Sequence, residues 1–333
     1  MEILKKIMHC RGVSGKENKV AETVADMIRD YVDELHTDAM GNLIAIKHGS
    51  AASPKKLMLA GHMDEIGFII THVEDNGYLR VQSIGGINYI ACAYEPVIFE
   101  SGIQGVLVPE AGTSGNDMHA GRFCIDIGAK DRKDALRYVK IGDLCAVPDR
   151  LIKLPGRRGF YAGRPFDDRI GCAIMVHAIQ EITACPNELC LAFTVQEEVG
   201  CRGAATAANA FLPDYSLAFD VTGSGDALKA RPMEVSLGKG AAIKVKDSSV
   251  ICDPMFVEYL CGLADEKKIP YQREILEGGG TDTCAMQIAG SGSHATAISV
   301  PTRYIHSNAE TICKKDYDAC VELTKALLER ELP

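Results

Sequence analysis

Apolar residues change their spacing along the chain, and each change predicts a different kind of element. In the opening stretch, EILKKIMHCRGVSGKENKVAETVADMIRDYVDE, they recur at helical intervals (Val20, Val24, Met27, Ile28 and Tyr31). This predicts two helices split at Gly12–Gly15. NLIAIKHG, KKLMLAGH and GFIITHV are apolar runs that read as strands. From about Glu74 to Leu154 the texture becomes short alternating runs, YLRVQSI, EPVIFES, QGVLVPE and LCAVPDR, between glycine-rich turns, as in a small antiparallel sheet or barrel. Beyond Phe160, helical patterns at DDRIGCAIMVHAIQEI, GAATAANAF, PMFVEYLCGLADEKK and KDYDACVELTKALLER alternate with strand patterns at ELCLAFTVQ, YSLAFD and HATAISV. Such alternation builds an α/β layer domain. The expected fold is a mixed, largely parallel central sheet flanked by helices, formed by residues 1–71 and 161–333, with a small inserted β-barrel domain over residues 72–160.

Composition narrows the function classes. At 47% hydrophobic and 24% charged residues the chain is ordinary globular protein. A formal net charge of -9 argues against a general nucleic-acid binder, which needs a basic footprint. No window approaches the ~18 uninterrupted apolar residues of a membrane helix. The N-terminus meets charge too early for a signal peptide, so a soluble, cytoplasmic protein is expected. The 13 cysteines fit that compartment: they are scattered, include no C-x-x-C and cannot all pair. Many sit in apolar runs, such as Cys172 in IGCAIMV and Cys190 in ELCLAF, where a thiol acts as a small buried hydrophobe, so none is read as a nucleophile.

Residues able to bind metal cluster at strand ends. His62 and Asp64 close KKLMLAGHMD, Glu197 and Glu198 follow LAFTVQ, Asp220 ends SLAFD, and His306 lies shortly after the strand ending near Val300. Asp167 and Asp168 open the helix of GRPFDDRIG. Open α/β sheets build their sites at the carboxyl ends of strands, so these separate elements point to one crevice. Singly, each has a plain structural explanation: a surface His–Asp pair, a solvated acidic turn, or a helix N-cap. Asp220 resists this most, because a charge ending an apolar run needs a partner. Together, two His and three carboxylates supply each of two divalent ions with one nitrogen and two oxygens if one carboxylate bridges; zinc, cobalt or manganese suits that set. The Glu197–Glu198 pair offers one carboxylate for a metal and one for general-base work. Asp64 is placed to accept the other ring proton of His62.

The segments AGHMDEIGFII, IDIGAKDRKDA, GRPFDDRIG, TVQEEVGCRGA, AFDVT, EGGGTDTCAM and SVPTRYIHSNAE, in this order over nearly the whole chain, resemble the M42 metallo-aminopeptidases, a family that includes glutamyl and leucyl aminopeptidases and the tetrahedral TET peptidases. The resemblance implies one ion on His62 and Asp220 and a second on Glu198 and His306, with Asp167 bridging. It implies Glu197 as general base and acid, with Asp64 as the partner of His62. It also implies short peptides with a free N-terminus as substrates and a homo-oligomer, a tetrahedral dodecamer, assembled through the inserted β domain. EGGGTD resembles a substrate-side loop; a plain glycine-rich turn is its alternative. The chain departs from the family pattern at Cys284 and at SGSHATA, so Cys284 and His294 are unfamiliar neighbours of the site and the preferred N-terminal residue stays open.

A glycoside hydrolase of the endoglucanase type, working through a carboxylate pair, is the competing enzyme class. It leaves two His without a purpose, and sugar sites favour aromatic platforms, whereas Trp is absent and aromatics are 6%. A non-catalytic metal scaffold is a third reading, which an intact Glu197 disfavours. Apolar runs such as INYIACAY and EPVIFE in the inserted segment need cover, either from a second subunit or from the α/β domain of the same chain.

Overall fold

The computed structural model describes residues 1–333. Helices α1 (Glu2–Met8) and α2 (Asn18–Ile28) precede strands β1 (Glu34–Thr37), β2 (Leu43–Lys47) and β3 (Lys56–His62). Next come β4 (Gly67–Val73), β5 (Leu79–Ile84), α3 (Tyr89–Cys92), β6 (Pro96–Phe99), β7 (Gln104–Pro109), β8 (Phe123–Asp126), α4 (Arg132–Ala135) and β9 (Leu144–Ala146). The chain continues through β10 (Arg150–Lys153), β11 (Phe160–Arg164), α5 (Arg169–Glu181), β12 (Glu188–Thr194), α6 (Arg202–Phe211) and β13 (Tyr215–Thr222). It ends with β14 (Ala241–Lys246), α7 (Pro254–Lys267), β15 (Tyr271–Ile275), α8 (Thr283–Gln287), β16 (His294–Arg303), β17 (Glu310–Cys313) and α9 (Lys314–Leu328).

The large sheet runs β1-β2-β12-β3-β13-β16-β17-β11-β10, with β14 and β15 branching from β16. Its centre, β12, β3, β13 and β16, is parallel and the outer pairs along this order are antiparallel; in the branch, β14 runs antiparallel to β16 and parallel to β15. Helices cover both faces of these central strands, so β13 is buried along its whole length; this is why such strands read as unbroken apolar runs. The main core holds one face of the sheet against α1, α2, α5, α7 and α9, and a smaller core holds the other against α6 and α8. The expected fold class is borne out. Helix starts follow local chemistry: Asp253 caps α7 by accepting from Phe256 N at 2.8 Å ahead of Pro254, and Asp168 caps α5 by accepting from Gly171 N at 2.9 Å. A Cβ on Gly171 would lie 2.7 Å from Phe219 Cβ, so only glycine lets α5 begin this close to β13.

The inserted unit is a closed barrel in the order β4-β5-β8-β7-β6-β9, with a core of its own. Its strands span Gly67 to Ala146, whereas the sequence pattern drew the insertion over residues 72–160. The difference is one of pairing. GFIITHV is apolar enough to pass for a core strand, but β4 pairs with β5 and β9 in the barrel. β10 and β11 pair with each other and, through β17, with the large sheet. Arg164 clasps the junction, donating to Val147 O at 2.9 Å and Ile66 O at 3.4 Å while pairing with Glu65 at 3.1 Å. No helix is long and apolar enough to cross a membrane. All 13 cysteines are free.

Candidate active site

The carboxyl ends of the central parallel strands open onto one crevice. β3 ends at His62, the turn after β12 carries Glu197 and Glu198, β13 carries Asp220, and the segment after β16 carries His306 in the left-handed conformation (φ 59°). Asp167 comes from the link between β11 and α5. All five predicted ligands converge. His62, Asp167 and Asp220 place one donor atom each within 4.8 Å of one another, and so do Asp167, Glu198 and His306. Asp167 belongs to both groups, and its two oxygens divide between them: Oδ1 lies 3.1 Å from His62 Nε2 and Oδ2 lies 3.3 Å from His306 Nε2. Glu198 Oε2 is also 3.3 Å from His306 Nε2.

Neighbouring groups fix these side chains. Asp64, fully buried, accepts from Ser14 Oγ at 2.6 Å, from Glu197 N at 3.0 Å and from Glu198 N at 3.2 Å. His62 Nδ1 faces the backbone carbonyl of Asp64 at 3.1 Å and its carboxylate at 3.4 Å. Asp64 thus ties the ring of His62 to the loop of the acidic pair, a wider role than the ring contact expected from its spacing. Glu310 does the same on the other side, accepting from Phe166 N at 2.7 Å, His306 N at 3.2 Å and Asp167 N at 3.3 Å. The barrel closes one flank: a Cβ on Gly86 would sit 2.8 Å from His306 Nδ1. A cavity of about 230 Å³ lies over Asp167, Glu197, Glu198, Asp220 and His306, bordered by Gly278, Gly279 and Gly280 of the EGGGTD segment.

The electrostatics are those of a cation site. Asp167, Glu197, Glu198 and Asp220 gather around two imidazoles, and no Lys or Arg pairs with any of the four. Burial, reinforced by Asp167, pushes the Asp220 carboxyl well above the usual range. Burial also raises Glu197 well above the usual range against the pull of His62, with Asp282 and Glu198 adding to the rise. Burial disfavours the His306 imidazolium, but hydrogen bonds to Asp167 and Glu198 hold it up to about 11. Buried carboxylates in excess of their cations call for positive charge, and the two-nitrogen, carboxylate-rich donor set fits divalent ions of the zinc, cobalt or manganese kind.

Some site neighbours escaped the sequence reading. Glu310 lies in the quoted SNAE segment, and its burial next to His306 is the only signal it gives. Asp282 ends EGGGTD and is 2% exposed, with Thr194 Oγ1 donating to it at 2.5 Å. Ser14 gives no sequence signal at all. His294, flagged as a site neighbour, starts β16 at the opposite end of the strand and pairs with Asp253 at 3.0 Å. It lies away from the crevice because β16 runs ten residues between His294 and Arg303.

The family model described as M42 glutamyl aminopeptidase matches residues 41–323. The chain belongs to the M42 aminopeptidase family. A lysyl aminopeptidase of Pyrococcus furiosus is 33% identical over 345 residues, covering 100% of this chain and 97% of the relative. Among solved structures, an aminopeptidase from Desulfurococcus kamchatkensis superposes with TM-score 0.94 at 34% identity, covering 99% of this M42 chain and 94% of its own. The TET1 peptidase of Pyrococcus horikoshii, which assembles into a tetrahedron or a large octahedral shell, gives TM-score 0.86 at 32% identity over 98% of each chain. An endoglucanase of Thermotoga maritima is also similar, with TM-score 0.82 at 29% identity over 98% of this chain and 96% of that one.

Proposed function

We propose that this M42 chain is a two-metal aminopeptidase that removes the N-terminal residue from short peptides. The observation that carries the reading is the division of Asp167, one oxygen toward His62 and the other toward His306, at the junction of two three-donor groups. His62 and Asp220 would hold one ion, Glu198 and His306 the other, and Asp167 both. Bound there, a pair of divalent ions supplies Lewis acidity and lowers the pKa of water. Glu197, with Oε2 3.9 Å from His62 Nε2, takes the proton of the attacking water and returns it to the leaving amine. Asp64 holds His62 and the Glu197–Glu198 turn in register. The acidic crevice draws the peptide's α-ammonium group, and the Gly278–Gly280 border is open to the side chain of the first residue.

The barrel is the assembly unit in this proposal. Ile90 and Tyr94 leave it 69% and 71% exposed, which a second copy would cover in a TET-like dodecamer. A panel of aminoacyl chromogenic substrates, run with and without chelator and then with zinc, cobalt or manganese restored, tests the activity. An N-acetylated peptide should resist cleavage while its free counterpart is trimmed stepwise. Full activity after metal removal, internal cuts appearing first, or turnover of a soluble β-glucan instead of peptides would each overturn the proposal, the last in favour of the glycoside hydrolase.

A further inference from the structure

Next to the candidate active site, on the far side of Glu197, lies a cluster of thiols and carboxylates that the two-metal reading does not use. Cys201, at the N-terminus of α6, is almost fully buried and donates to Glu197 Oε1 at 3.3 Å. Its sulfur lies 3.8 Å from that of Cys284, in α8. Asp282, 2% exposed, has Oδ2 satisfied by Thr194, while its Oδ1 is buried with no hydrogen-bond partner. Glu197, Cys201 and Asp282 bring one donor atom each within 4.8 Å of one another.

Hydrogen counting shows why this cluster is incomplete. Cys201 donates its single thiol proton to Glu197 Oε1 and Cys284 donates its own to the Cys201 sulfur, so neither thiol proton is left for the buried Asp282 Oδ1. A buried carboxylate oxygen without a donor costs about 1–3 kcal/mol, so the cluster lacks positive charge in the same way as the crevice beside it. Its donors differ, however, because sulfur replaces imidazole. Two thiolates on one tetrahedral zinc, each bonded at about 2.3 Å, stand about 3.8 Å apart, which is the separation of Cys201 and Cys284.

We propose that Cys201, Cys284, Asp282 and Glu197 form a third, thiophilic site for a divalent cation such as zinc or cadmium. On binding, each thiol gives its proton to solvent and its sulfur becomes a thiolate ligand; the two carboxyls bind as carboxylates, any proton they carry also passing to solvent. Manganese and magnesium, which prefer oxygen, are poor occupants. Glu197 presents one oxygen to this site and the other toward His62, so a filled third site engages the proposed general base and slows turnover; this consequence rests on the reading of Glu197 given above. The enzyme is then active with two ions and restrained by an excess of a soft one.

The test uses full-length protein loaded with manganese and titrated with cadmium. Thiolate-to-cadmium charge-transfer absorption should grow to one further ion per chain and be absent from the Cys201→Ser/Cys284→Ser double variant. In the unsubstituted protein, mass mapping after brief iodoacetamide treatment should show Cys284 protected by cadmium. Cys10, also partly exposed, serves as an unprotected internal reference. Turnover should fall as the absorption rises, towards the ~10²–10⁴-fold loss that follows removal of a general base. Cys284→Ser should keep its basal rate and resist this inhibition. Equal alkylation of Cys284 with and without cadmium, with no charge-transfer band, overturns the site, and this measurement needs no variant to fold. A band and protection with turnover unchanged establish the site and refute Glu197 as the base.

Discussion

Replacing Asp64 by Asn changes one atom type and leaves the shape of the side chain intact. Both carboxylate oxygens are acceptors here: Oδ1 takes the N–H of Glu197, and Oδ2 takes the hydroxyl of Ser14 and the N–H of Glu198. An amide keeps only one oxygen. If its NH2 replaces Oδ1, it faces the Glu197 N–H and leaves that donor unpaired; if it replaces Oδ2, the Glu198 N–H loses its partner and only Ser14 can turn to adapt. Either orientation leaves one backbone donor unsatisfied, at about 1–3 kcal/mol. It also removes the negative charge 3.4 Å from His62 Nδ1. Since 1.4 kcal/mol is tenfold, the expected loss is about 5- to 150-fold, shared between metal affinity and kcat, which brackets the roughly 10–100-fold typical for partners of metal-binding imidazoles. Metal affinity is measured by competition with a chromogenic chelator, and kcat on an aminoacyl chromogenic substrate with metal saturating. Asp64→Asn protein that folds and retains wild-type values for both would refute the positioning argument.

Glu197→Gln should retain both active-site ions yet lose about 10²–10⁴-fold in kcat; a near-wild-type rate in metal-replete protein would move the base elsewhere. Binding of the first two ions should release protons at neutral pH, because Asp167 and its neighbours hold both His62 and His306 in the charged form that cannot ligate, His306 up to about 11. The affinity therefore rises with pH, and calorimetry in buffers of different ionisation enthalpy counts the protons; a count of zero would contradict the sign. Gly86→Ala places a Cβ 2.8 Å from His306 Nδ1, well inside a carbon contact of about 3.5–4 Å. It should weaken metal binding by about 10-fold or more while leaving the melting temperature of the metal-free protein nearly unchanged.

The central sheet was legible because strands buried on both faces carry unbroken apolar runs, as LMLA does in β3, LCLAF in β12 and LAF in β13. β14 and β15 were not. Their runs, AAIKVK and YQREI, carry Lys244 and Glu274, which look solvent-facing in sequence but form a fully buried ion pair with each other. The edges of the barrel were misplaced for a related reason: apolar content reports burial but not which sheet does the burying. In the crevice, the residues legible in sequence were those whose type and position at a strand end are unusual, such as Asp220 after SLAF. Glu310 and Asp282 were missed because their work is to accept from backbone and hydroxyl donors far away in sequence, as Glu310 does with Phe166 N and Asp282 with Thr194 Oγ1. A carboxylate acting through backbone amides leaves no spacing pattern to read.

The seat of the barrel has a thermodynamic consequence. The barrel is joined to the α/β domain by Ile66 and Val147, whose carbonyls are both held by Arg164, and it touches the crevice where Gly86 meets His306. A rigid-body tilt of the barrel is therefore a displacement of His306, and a change in how tightly His306 is held is a torque on the barrel. Two events that share such a contact have a coupling free energy, and the coupling is reciprocal. Whatever fixes the barrel from outside prepays part of the cost of ordering His306, and filling the crevice stiffens the surface the barrel offers outward. With the two ions and the barrel-mediated assembly proposed above, subunit concentration and metal concentration are then not independent variables: dilution should loosen the ions, and a chelator should loosen the assembly.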